Sequence, residues 1–201
     1  SAMLTGGSIA GLVRFQNSDL VAARNQLGQM ATAFAYAIND AQARGLDLGD
    51  PPGAGSDLFA VGAPRALPST HNARDASGEY LATVSLQITD ASLLQASDYS
   101  LALDPTGMSK FLLTRLSDGL VRGVNDGDSV DGFQITSGGA GLQNGDSFLL
   151  QAVAGAATGM KRVLDDPSGI AAASPVMATT SSANKGTASV ASLAVTSPTI
   201  N

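Results

Sequence analysis

Between Asp19 and Arg44 the apolar residues recur at helical spacing. Leu20, Leu27, Phe34 and Ala41 lie seven apart, with Ala23, Met30 or Ala31, and Ile38 between them. A repeat close to 3.5 residues predicts one long helix with an apolar packing seam, whose anchors are Leu20, Leu27, Met30, Phe34 and Ile38. At about 1.5 Å per residue such a helix runs roughly 37 Å. Ser18 is placed as its N-cap, Asp19 as a first-turn carboxylate suited to the helix dipole, and Gly45 as a left-handed C-terminal cap. A seam of this length needs a cover. Either the chain's own later residues supply it or a second helix does, and no second long helical pattern occurs in the 201 residues.

After a Pro- and Gly-rich break at Gly49-Asp50-Pro51-Pro52-Gly53-Ala54-Gly55, the period changes from helical to two. Tyr80, Ala82, Val84, Leu86 and Ile88 alternate with Leu81, Thr83, Ser85 and Gln87, which predicts a half-buried strand. Tyr99, Leu101 and Leu103 repeat the alternation, Pro105-Thr106-Gly107 predicts a turn, and Lys110 to Leu116 returns as the hairpin partner. Asp118-Gly119 begins the next reversal. Shorter strands are expected at Leu120 to Val124, Gly132 to Thr136 and Ser147 to Val153, then a short helix near Ala156 and a last strand at Met160 to Leu164. Residues 174 to 201 hold eleven Ser or Thr in twenty-eight positions. They read as a linker in which Thr187 to Thr196, alternating at Ala191, Leu193 and Val195, begins a β domain that the chain does not complete.

The expected fold is therefore α+β and multidomain, with a helical segment of an inner domain (4 to 48), a linker with loops (49 to 79), a small antiparallel β outer domain (80 to 173) and the Ser/Thr-rich tail (174 to 201). Ser1-Ala2-Met3 reads as a cloning remnant, and the whole as an excerpt of a longer protein.

Composition narrows the function. Hydrophobic residues make up 44% of the chain, enough for a core, yet aromatics are only 4% and Trp is absent, which argues against a ring-lined ligand pocket. Eleven Lys and Arg against 17 Asp and Glu give a net charge of -6, which disfavours a phosphate-binding surface and hence nucleic acid. No run of about 18 apolar residues marks a membrane span. Zero Cys removes disulfides, thiol nucleophiles and thiolate metal sites. His71, the only histidine, sits in a polar loop beside Asn72 and Arg74 without a second ligand at metal spacing. The acidic loop Asn125 to Gly132 fails the calcium pattern, because Val130 takes the third ligand position, glycine falls out of register and no Glu closes the loop. Gly138-Gly139-Ala140-Gly141 precedes neither a helix start nor a Lys, so it reads as a hairpin loop rather than a phosphate cradle. No Gly-x-Ser-x-Gly elbow exists. These readings point away from an enzyme and from any cofactor or metal.

Several runs carry a family resemblance. Gly6-Gly7-Ser8-Ile9-Ala10-Gly11-Leu12-Val13-Arg14-Phe15, Ala23-Arg24-Asn25-Gln26-Leu27-Gly28-Gln29-Met30-Ala31 and Phe34-Ala35-Tyr36-Ala37-Ile38-Asn39 resemble the helical segment of the bacterial flagellar hook-associated protein 1 family. The likeness continues in order through Leu58-Phe59-Ala60-Val61-Gly62, Val84 to Ser92, Ala96 to Tyr99, Leu113 to Gly119, Asn144 to Gln151, and Asp166-Pro167 with Ile170 to Ala173. It implies a non-enzymatic structural subunit of the flagellum, an adaptor at the hook–filament junction. The implied partners are the hook protein on one side and a second junction protein, hook-associated protein 3, on the other. Further copies in a ring and an export chaperone complete the implied set. The implied location is extracellular, reached unfolded through the flagellar export channel, and the implied role is in flagellum assembly and motility. The alternative from another class is a surface adhesin or carbohydrate-binding β module, which would want exposed aromatics on a concave face.

Overall fold

A computed structural model describes residues 7–179, 181–183, 185–187, 190 and 193. The chain forms two compact units: one comprises the residues up to Ala33 together with Val61–Met160, the other Phe34–Ala60 with the chain from Lys161 onward.

Gly7, the first described residue, is already helical, well before the expected start. Helix α1 (Gly7–Arg14) passes through a π-helical turn, Phe15–Asp19, into α2 (Leu20–Ala43). The expected N-cap at Ser18 and first-turn carboxylate at Asp19 are corrected: both lie inside the π turn. The flanking Arg14 and Leu20 keep right-handed helical dihedrals, and the Leu20 N–H bonds the Phe15 carbonyl five residues back. Nothing in this stretch breaks a helix, so a capping residue type did not make a cap. The expected role of Gly45 is corrected too, since it is not among the glycines at positive φ. It is there for space. A Cβ at Gly45 would stand 2.6 Å from the Ala171 Cβ, while the Gly45 N–H closes the last turn on the Gln42 carbonyl at 3.0 Å.

Among the described residues the strands are β1 (Phe59–Ala60), β2 (Arg65–Pro68), β3 (Ala82–Ile88), β4 (Tyr99–Leu103), β5 (Phe111–Arg115), β6 (Val121–Val124), β7 (Ser129–Val130), β8 (Phe133–Gly139), β9 (Ser147–Gln151) and β10 (Lys161–Arg162). In the first unit a five-stranded antiparallel sheet runs β2-β9-β4-β5-β6 and a three-stranded one β3-β8-β7. Their inner faces share one core. Tyr99, Leu101, Phe111, Leu113 and Leu150 from the larger sheet meet Phe133 and Ile135 from the smaller, all nearly inaccessible, and Tyr99 lies edge-on to Phe133 at 5.0 Å. The period-two reading of β3 holds, with Thr83, Ser85 and Gln87 exposed between residues of the inner face.

Other expectations change. Residues 49–79 contain β1 and β2, and β2 pairs with β9 from Arg65↔Gln151 to Pro68↔Phe148. A four-residue strand that ends in proline carries almost no periodic signal, which is why it read as loop. The helix expected near Ala156 is a run of turns, with the Ala156 N–H on the Val153 carbonyl and Gly159 on Gly155. Gly138 and Gly139 belong to β8, opposite Thr83 and Ala82. The last strand, β10, leaves the first unit's sheets and pairs with β1 in the second unit. There Leu46 bridges both Ala54 and Ala173. The strand expected over Thr187 to Thr196 lies, apart from Thr187, Val190 and Leu193, outside the described residues, as does the remnant at Ser1-Ala2-Met3.

Candidate functional site

Helix α2 carries two stripes, and the apolar one is largely exposed. Leu20, Leu27, Met30 and Phe34 expose 50%, 59%, 67% and 51% of their surface; Ile38 is half-buried. The stripe is extended at the N-terminal end by Ile9, Leu12, Val13 and Phe15, also exposed. On another side Val21, Asn25, Gly28, Thr32, Ala35, Asn39 and Gln42 recur at alternating steps of four and three, all of them buried or half-buried, and they include the fully buried residues of the helix, Asn25, Gly28, Thr32 and Ala35. The helix is held by a face of small and polar residues.

In the first unit this hold is built on backbone contact. Gly28 lies directly on the Val153 peptide, so closely that a Cβ there would stand 1.9 Å from the Val153 carbonyl oxygen. Thr32 is buried and donates its hydroxyl to the Gly28 carbonyl at 2.8 Å. Gln29 Nε2 donates to the Leu94 carbonyl. Arg24 stands 3.6 Å from the buried Asp98 carboxylate, which also accepts from Gln151 Nε2 at 3.2 Å. In the second unit Asn39 takes the place of a neighbouring strand. Its Oδ1 accepts the N–H groups of Leu58 and Phe59 at 2.9 and 3.1 Å, and its Nδ2 donates to the Phe59 carbonyl at 2.7 Å. Gln42 Oε1 accepts the Ala171 N–H at 3.1 Å. The Phe34 ring tilts against Phe59 at 5.5 Å. Ile38, Ala41, Gln42, Leu58, Ile170 and Ala171 line an open groove of about 430 Å³.

The residues considered for chemistry are scattered or engaged. His71 is exposed and donates its main-chain N–H to Ser69 Oγ. The acidic loop uses its carboxylates on its own neighbours: Asp126 accepts the Ser137 N–H, Asp128 the Asn125 N–H, and Asp131 receives the Tyr99 hydroxyl at 2.9 Å and Arg115 at 3.0 Å. Burial first, then the hydrogen bond to Asp131, pushes the Tyr99 phenol well above its ordinary range. The hydrogen bond from Arg115 holds Asp118 down at about 2. Among the described residues no group of three or more His, Asp or Glu is placed to hold a metal ion, and no helix is long and apolar enough to cross a membrane. The polar stripe of α2 has no signal in the spacing of apolar residues alone. The same four-three spacing read on Asn25, Gly28, Thr32 and Asn39 would have found it.

Comparison with known families places these features in context. The family model described as "Flagellar hook-associated protein FlgK helical domain" matches residues 1–59. The model "Flagellar hook-associated protein 1, D2-like domain" matches residues 70–152. Flagellar hook-associated protein 1 of Escherichia coli strain K12 is 36% identical over 177 residues, covering 86% of this chain and 30% of that protein. The protein of the same name from Salmonella typhimurium is 33% identical over 176 residues with the same coverage. The solved flagellar hook junction protein FlgK from Burkholderia pseudomallei superposes with a TM-score of 0.70 at 32% identity, over 85% of this chain and 30% of that one. The chain thus spans 30% of the length of these relatives.

Proposed function

The chain belongs to the flagellar hook-associated protein 1 family, and from that premise we propose that it is part of the structural adaptor at the hook–filament junction. It acts by packing, without catalysis. The carrying observation is the division of labour on α2: small and polar residues fix the helix to its own chain, and the apolar seam of Leu20, Leu27, Met30 and Phe34 is left open. Contiguous exposed apolar surface of this kind is a docking surface. Its heptad spacing suits another helix better than a sheet, so Leu20, Leu27, Met30, Phe34 and Ile38 receive a helix from the remainder of the full-length protein or from a neighbouring copy. On this reading the partners are the hook protein, hook-associated protein 3 and further copies in a ring, with an export chaperone before assembly. The location is outside the cell, reached through the flagellar export channel.

The test is genetic and uses the full-length protein. Deleting its gene should leave cells with hooks, release filament subunits into the medium and abolish swimming, and restoring the gene should reverse all three. Normal filaments in the deletion strain would refute the junction role.

A further inference from the structure

We propose that Asn144 is a spontaneous modification site, at which the side-chain amide is lost and the main chain is rerouted through an isoaspartyl linkage. Asn144-Gly145 is the one Asn-Gly step in the sequence. The two residues occupy the centre of a turn closed by the Asp146 N–H on the Gln143 carbonyl at 3.0 Å. Gly145 has φ +93° and Asn144 is not at positive φ, the pattern of a type II turn. Both residues are exposed, and a Cβ on Gly145 would meet nothing within 4 Å. The Gly145 N–H and the Asn144 amide have no hydrogen-bond partner among the described residues.

These are the requirements of intramolecular cyclisation. The Gly145 nitrogen gives up its proton to hydroxide and attacks the Asn144 Cγ. A C–N bond forms, and the side-chain nitrogen leaves as ammonia, taking its proton from water. Water then opens the five-membered imide at either carbonyl, so the net change is Asn plus water to Asp or isoaspartate plus ammonia. Glycine matters because no side chain shields its nitrogen. The three Asp-Gly steps lack these conditions. An ionised carboxylate is a poor electrophile, and each is engaged: Gly119 donates its N–H to the Arg115 carbonyl, Gly127 to the Ile135 carbonyl, and the Asp131 carboxylate is held by Tyr99 and Arg115. Asn125 is also committed, its Oδ1 accepting the Lys110 N–H. The product would sit beside a working carboxylate. Asp146 is buried and accepts the N–H groups of Ala73 and Gln143, both at 2.8 Å. An isoaspartyl link adds a methylene to the main chain inside the turn that positions it.

The experiment is to hold the purified chain at mildly alkaline pH over days. Acidic forms are followed by charge-resolved chromatography, isoaspartate by enzymatic carboxyl methylation, and the site by electron-transfer fragmentation of the Gly123 to Lys161 peptide. The expected result is one dominant acidic form with isoaspartate at residue 144, and its complete loss in Asn144→Gln, a substitution at an exposed side chain without partners. Acidic forms accumulating at the same rate in Asn144→Gln, or isoaspartate arising instead at Asp118, Asp126 or Asp131, would overturn the proposal. So would an intact Asn144 in the folded chain under conditions that convert a Leu142 to Ser147 peptide, since the native turn would then protect it.

Discussion

At the scale of single residues, a short motif recurs in this chain. Asp75-x-Ser77, Asp90-x-Ser92 and Asp104-x-Thr106 each fold so that the Asp Oδ1 accepts both the main-chain N–H and the hydroxyl of the residue two positions on. Asp166 accepts the Ser168 N–H in the same way. The short carboxylate mimics a backbone carbonyl and fixes a turn locally. These bonds favour the ionised form. The hydroxyl leads at Asp75, Asp90 and Asp104, the backbone N–H at Asp166, and all four carboxyls are held below their ordinary range. Folded values lower than unfolded ones mean stability that is complete above the normal carboxylate range, about 3.9 for Asp, and lost as pH falls through the depressed values. Carbon-detected titration of the side-chain carboxyls should therefore place Asp118 near 2 and Asp75, Asp90, Asp104 and Asp166 below free Asp. Ser77→Ala should move Asp75 back up and leave Asp90 unchanged; ordinary midpoints throughout would show that the turns are not formed.

At the scale of elements, α2 shows how two periodic patterns divide one helix. The apolar seam was legible from Leu20, Leu27 and Phe34, as were β3, β4 and β5, because alternation or heptad spacing of large side chains is a statement about faces. Which face the chain uses for itself was not legible. That is settled by Gly28, whose missing side chain lets the helix rest on the Val153 peptide, and by Asn39, whose amide replaces strand partners for Leu58 and Phe59. Two substitutions test this. Alanine is preferred over glycine inside a helix by about 1 kcal/mol, so Gly28→Ala would stabilise a free helix. With a Cβ forced to 1.9 Å from a carbonyl oxygen, it should instead destabilise by about 1–3 kcal/mol or more in urea unfolding. Gly11→Ala, which meets nothing within 4 Å, serves as the contrasting case that should not destabilise. Asn39→Ala leaves two N–H groups and a carbonyl without their side-chain partner and should cost about 1–3 kcal/mol. An unchanged midpoint for both Gly28→Ala and Asn39→Ala would mean that the polar stripe does not hold the helix.

At the scale of the whole molecule, the chain passes from the first unit to the second at Phe34, returns at Val61 and leaves again at Lys161, so neither unit is one continuous stretch of sequence. The break at 49–55 suggested a domain boundary by its Pro and Gly content, and the tail by its Ser and Thr. Composition marks where chain is irregular, not which segments share a core. On the proposed reading, function at this scale rests on the open seam, and one pair of substitutions separates folding from assembly. Leu27→Glu with Met30→Glu alters two exposed positions, so the unfolding free energy of this chain should stay within about 0.5 kcal/mol per site. The same pair in the full-length protein should fail to restore swimming to the deletion strain. Restored swimming would dismiss the seam as a docking surface, and a chain unfolded by the pair would show that the seam serves its own core.

The π turn at Phe15–Asp19 gives that seam a rotational phase. An α-helix advances about 100° per residue, and a turn closed five residues back accommodates one residue more than an α turn. The turn is thus a vernier set between two scales. Counting back from Leu20, the residue in phase is no longer Val13, seven before, but Leu12, eight before, which is also the more exposed of the two, 67% against 41%. Removing a single residue from Phe15–Asp19 should therefore relax the turn to ordinary helix and leave Leu12, then seven before Leu20, in phase, whereas tightening the turn with every residue kept would swing everything upstream by about 100°. Only the second change would disengage the two halves of the stripe from any one straight helix laid along both.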